Sequence, residues 1–149
     1  MTYFDPSHLQ YVSNLLLNSE DSFVCNLDCD YHNQCLYRSI INRSYYAAFS
    51  SFKLWAIDNK GYDEDVAMNH YRSLSRGRAP GRHKVLTLFI INNLDPNYES
   101  DIILLANDLD AIRENRTSAD YIFDVELSRA DAEMVYNTSQ KIIASLPSS

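Results

Sequence analysis

The sequence predicts an all-α protein, an antiparallel up-and-down bundle of four to five main helices. Three observations lead there. The three glycines and four prolines cluster, so that residues 7–60 and 97–146 contain neither. Interior Gly or Pro destabilises a helix, and long tracts without them permit long helices. Apolar residues in both tracts recur at helical spacing, and no stretch alternates apolar and polar residues for long enough to require a strand. The 149-residue length fits one domain spanning 1–149. With 46% hydrophobic residues it has material for a real core.

The elements follow in chain order. Asp5-Pro6 has the form of an N-cap followed by Pro at the first helical position. Leu9, Val12, Leu15 and Leu16 continue at helical spacing, and the polar residues 18–22 end that helix. A second helix over about 30–59 places Ile41, Tyr45, Ala48, Phe49, Phe52, Trp55 and Ala56 on one face and stops before Gly61. Its length marks it as the central member of a bundle. Residues 61–81 form a connector with a short helix near 64–74. A third main helix covers 82–92 and ends before Pro96; a fourth covers 97–119, with Ile102, Leu105, Leu109 and Ile112 in one stripe. Ser128-x-x-Asp131 has the form of a capping box opening a last helix to about Ser145, with Met134, Val135, Ile142 and Leu146 inward.

Composition narrows the function. Apolar runs such as 85–91 and 102–106 are too short to span a bilayer. Thr2–Asp5 provide neither a basic n-region nor an apolar h-region, so the expected location is the cytoplasm. Cys25, Cys29 and Cys35 with His32 are spaced like no common zinc module. Reduced thiols are the expectation; no metal or cofactor is called for. The net charge of −7 argues against broad, non-specific nucleic-acid binding. Yet residues 72–84 hold five cations (Arg72, Arg76, Arg78, Arg82, Lys84) and no acid, while the rest of the chain balances to −12. That segment reads either as a surface loop or as a phosphate contact.

The candidate chemistry lies on the fourth helix. Its apolar stripe runs on at the same spacing into Arg116 and Asp120, with Arg113 beside it. Arg is rarely buried unless paired. Arg116 and Asp120 can form an i, i+4 pair, or the two arginines can hold a phosphate bidentately. On the second helix Arg43, Tyr46 and Ser50 make a polar stripe beside the apolar one, with Tyr45 expected in the core and the Tyr46 hydroxyl able to bond a neighbouring helix. His83, between Arg82 and Lys84, is either solvated or a proton donor if its helix faces the site. Gly77-x-x-x-Gly81 lacks the lysine and hydroxyl of a phosphate-binding loop, and four scattered histidines define no Ser/His/Asp triad.

Two strings carry a resemblance: Asn42-Arg43-Ser44-Tyr45-Tyr46-Ala47-Ala48-Phe49, and Arg113-x-x-Arg116-x-x-Ala119-Asp120-Tyr121. In this order, on the second and fourth helices, they are similar to the RxYYAxF and RxxADY motifs of small stand-alone HEPN proteins, over residues 30–146. The resemblance implies a helical bundle that forms homodimers and belongs to toxin–antitoxin or phage-defence systems. It implies metal-independent RNA cleavage, with Arg113, Arg116, Asp120 and Tyr121 as catalytic residues. Arg43, Tyr46, Arg76, Arg78, Arg82 and His83 are the expected RNA or phosphate contacts. The catalytic motif of that family is Arg, four residues, His; here the last position is Ser118 counted from Arg113 and Tyr121 counted from Arg116. The resemblance therefore also admits a non-catalytic module that binds a nucleotide, or docks a nucleotidyltransferase-like antitoxin which modifies a tyrosine such as Tyr121. A plain helical scaffold is the third expectation.

Overall fold

The computed structural model describes residues 6–18 and 29–148, the side chains of Ser7 and of residues 29–32 excepted. All regular structure among them is helical: α1 (Ser7–Asn18), α2 (Cys29–Lys60), α3 (Glu64–Leu74), α4 (Arg82–Asn93), α5 (Ser100–Tyr121) and α6 (Arg129–Ser145). No helix among them is long and apolar enough to cross a membrane.

α2 is the spine. It packs on α1, α5 and α6, and it buries Ile41, Tyr45, Ala48, Phe49, Phe52, Trp55 and Ala56, the face expected from spacing, together with Leu36, Tyr37 and Ile40. It ends where Gly61 takes φ +64°, a left-handed conformation that side chains resist, and the Tyr62 N–H turns back to the Ala56 carbonyl. α3 opens on Asp63, whose carboxylate accepts from the Val66 N–H at 3.0 Å.

α5 runs antiparallel to α2: Arg38 meets the carbonyls of Ser118 and Ala119, while Tyr45 lies against Arg116. α4 packs on α5 and begins level with the middle of α2, where His83 reaches Tyr45. α6 turns back along α5 and meets α2 at a polar seam, the Ser139 hydroxyl donating to the Ser44 carbonyl at 2.5 Å. α1 lies against α2 and α6, its Gln10 and Asn14 amides donating to the Tyr136 carbonyl and hydroxyl.

Several expected boundaries and faces shift. α5 starts at Ser100 rather than 97, because Pro96 opens a turn in which the Asp95 carboxylate accepts from the Asn97 N–H. It runs two residues past Ala119, to Tyr121. On α6 the buried stripe is Ala132, Val135, Tyr136, Ser139 and Ile142. Met134 sits about 100° round from Val135 and is exposed. Leu15 on α1 is exposed in the same way. The Asp5 cap and the polar end at 19–22 lie outside the described residues.

The capping box forms in full: Ser128 Oγ accepts from the Asp131 N–H at 3.1 Å and Asp131 Oδ2 accepts from the Ser128 N–H at 2.8 Å. Ser128→Ala is expected to lower stability by about 1 kcal/mol in urea unfolding, and Ser128→Asn to recover most of it.

Candidate functional site

The last two turns of α5 project a cation into the core. Arg116 is 7% exposed. Its guanidinium carbon lies 5.3 Å from the Tyr45 ring centroid and 5.8 Å from those of Tyr46 and Tyr121. Aromatic faces attract such a cation electrostatically. One turn on, Asp120 Oδ2 is 3.5 Å from Arg116 Nη1. The Asn42 amide of α2 donates to both Asp120 oxygens, at 2.9 and 3.1 Å. The expected i, i+4 pair is therefore present and is fixed from across the helix interface. Arg116 Nε is buried with no hydrogen-bond partner, an unused donor in the middle of the cluster.

Arg113 is committed elsewhere. Its Nε donates to Asp110 at 3.0 Å and its Nη2 to Glu114 at 2.6 Å. Lys84 of α4 donates to the other Asp110 oxygen at 2.7 Å. Burial alone would raise the Asp110 carboxyl, but hydrogen bonds from Lys84 and Arg113 outweigh it and hold it below the usual range. Of the two alternatives for these arginines, the intrahelical pair is present at Arg116, and Arg113 too is already paired with carboxylates.

His83 enters from α4. Its ring packs on Phe49, Tyr45 and Tyr46 with centroids 4.4, 5.4 and 5.5 Å away, and its Nδ1 is 2.9 Å from Tyr45 Oη. Burial, then the charges of Arg116 and Arg113, lower its pKa to about 4. It is neutral at physiological pH. Burial likewise pushes the Tyr45 phenol well above its ordinary value, so its hydroxyl keeps its proton. Tyr45 is fully buried, as expected, and Tyr46 meets α4 and α5 through its ring.

The remaining expected residues are spread out. Arg43 is exposed and lines a shallow polar cavity of about 280 Å³ with Arg38, Ser39, Asn42 and Asp120. Tyr121 is 68% exposed. Arg76 and Arg78 are exposed on the 75–81 connector. Arg82 leans on Glu64 at 3.4 Å. Of the cysteine–histidine set, only the Cys35 side chain lies within the described residues, exposed and in no disulfide.

Two contributors were missed in the sequence. Arg38 donates to the carbonyls of Ser118, Ala119, Ile122 and Val125, closing the end of α5 with a cation where the helix dipole favours one. Asn42 holds Asp120. Their available signal was position: Arg38, Asn42, Tyr45 and Phe49 follow helical spacing along one side of α2.

Compared with known proteins, the chain matches no family model, no curated protein and no solved structure.

The depressed His83 pKa has a thermodynamic consequence. Between about 4 and 6.5 the unfolded chain binds a proton that the folded chain refuses, so stability rises with pH across that window and is lost as pH falls through it. Proton NMR should show a His83 titration midpoint near 4, and His83→Gln should flatten the pH dependence of the melting temperature over that window.

Proposed function

We propose that the chain is a HEPN-like, metal-independent ribonuclease that works as a homodimer in the cytoplasm, within a toxin–antitoxin or phage-defence system. The observation that carries this reading is the meeting of Arg116 and His83 on the faces of Tyr45 and Tyr46. The sequence lacks a histidine at the motif position; α4 supplies one at the same cluster from a different element.

The chemistry is consistent with that geometry. With its proton on Nδ1, donated to Tyr45 Oη, His83 leaves Nε2 free to accept the proton of a ribose 2′-hydroxyl. The 2′-oxygen attacks the adjacent phosphorus, the P–O5′ bond breaks, and the departing 5′-oxygen takes a proton from water while His83 later returns its own to solvent; the products are a 2′,3′-cyclic phosphate and a 5′-hydroxyl. Arg116, and Arg113 once the anion competes with its carboxylates, stabilise the charge that develops on the phosphorane. A phosphate beside these arginines offsets their share of the depression of the histidine, which burial begins. Its pKa then moves back towards neutrality, where general-base work is most effective.

Purified protein is expected to cut RNA in the presence of a chelator and leave cyclic-phosphate ends. Arg116→Ala and His83→Ala should each lower kcat/KM by about a hundredfold or more, while circular dichroism confirms that both variants fold. RNA left intact across a range of pH, by wild-type protein, sinks the proposal.

A second reading is favoured by one specific contrast: Arg116 is 7% exposed, whereas the neighbouring Tyr121 is 68% exposed. In that reading the chain is a non-catalytic module, and Tyr121 accepts a nucleotide from a nucleotidyltransferase-like partner. After co-expression with such a partner, mass spectrometry should find a nucleotide mass on the Tyr121 peptide; an unmodified peptide counts against it.

A further inference from the structure

The basic connector gains a role if the Arg116–His83 cluster is read as an RNA site. The protein is acidic, yet no carboxylate occurs anywhere from residue 66 to residue 94. Within that stretch Arg72, Arg76 and Arg78 are exposed, and none of the three has an ion-pair partner among the described residues. Elsewhere most cations are engaged: Lys53 with Glu64, Lys60 with Glu99, Lys84 and Arg113 with Asp110, Lys141 with Asp108; Arg43, exposed on α2, is the exception among the described residues. Unneutralised positive charge in an acidic chain is thus concentrated on one segment.

That segment leads directly into the cluster. Gly81 is the N-cap of α4 and has no side chain with which to accept from the first amides of the helix, and the first turn carries no acid. The positive end of the α4 dipole therefore adds to the field of the arginines. Arg78 and His83 are five positions apart, so their Cα atoms are at most about 18 Å apart even if the chain between them is fully extended. An RNA strand leaving the scissile phosphate has only a few nucleotides to travel before it meets the arginines.

We infer that Arg72, Arg76, Arg78 and the start of α4 form an exosite that tracks the RNA backbone on one side of the cleaved bond. The substrate is then an oligonucleotide that extends several residues to that side, held by arginine forks on its phosphates. These contacts carry no base information, so the exosite sets length and orientation rather than sequence.

The test uses the full chain and fluorescent oligouridylates that carry 2′-O-methyl groups throughout. They cannot be cleaved, so a failure of the ribonuclease reading leaves this measurement intact. By anisotropy the dodecamer should bind about tenfold or more tighter than the dinucleotide, with a steep salt dependence. In the double variant Arg76→Ala/Arg78→Ala most of that advantage should vanish, and the slope of log K against log salt should become shallower by about 1.4. Arg76→Lys/Arg78→Lys should keep most of the slope. An unchanged slope in the alanine variant, or a dinucleotide that binds as tightly as the dodecamer, overturns the exosite even if RNA is cleaved. Displacement of the dodecamer from wild type by a polyglutamate peptide, with no difference between wild type and alanine variant in RNA affinity, would assign the arginines to an acidic protein instead.

Discussion

The burial of one guanidinium organises this molecule. Taking Arg116 out of water is costly unless its charge is met on every side. Here three aromatic faces, worth about 0.5 to 2 kcal/mol each, and one carboxylate meet it. The carboxylate in turn needs Asn42, and the helix end that carries both needs Arg38. A chain of dependencies thus runs from a single side chain across the α2–α5 interface. The arrangement does not satisfy the guanidinium completely, since its Nε has no partner. A group that is expensive to bury and incompletely bonded is a weak choice for a purely structural role, where an apolar residue of similar volume would serve.

Burial, reinforced by the same field, explains the state of His83. A histidine packed on aromatic rings with two arginines nearby is held neutral. Its proton affinity is coupled to whatever anion approaches those arginines. Lys84, the next residue, ties α4 to Asp110 of α5, and so holds the helix that presents the imidazole. The site is therefore built by three helices, each contributing a different chemical function: rings and an amide from α2, the imidazole from α4, the cations and carboxylate from α5.

The helices were legible in the sequence because breakers and apolar periodicity both act locally. The α2 face, the α5 stripe and the Ser128 cap appear where spacing put them. Met134 and Leu15 turned outward because an apolar residue adjacent to a stripe looks the same, in one dimension, as a member of it. The site was legible in part. Arg116, Asp120 and Tyr45 stood out because they interrupt or extend an apolar stripe. That Arg113 spends its donors on Asp110 and Glu114 follows from side-chain directions that spacing leaves open. The approach of His83 to Tyr45 depends on how α4 docks, a matter of tertiary packing across 38 residues of chain.

α2 also acts as a ruler. Its 32 residues run without interruption for about 48 Å. Gln34 and Arg38 near one end grip the loop and the helix terminus that bear Tyr121, whereas Tyr45 and Phe49, two turns further, seat the imidazole. Inserting one residue between those two stations would turn one against the other by about 100° and move it 1.5 Å along the axis. An insertion between residues 38 and 45 therefore pulls the two stations out of register, whereas one in the 75–81 connector leaves their spacing on the rod untouched.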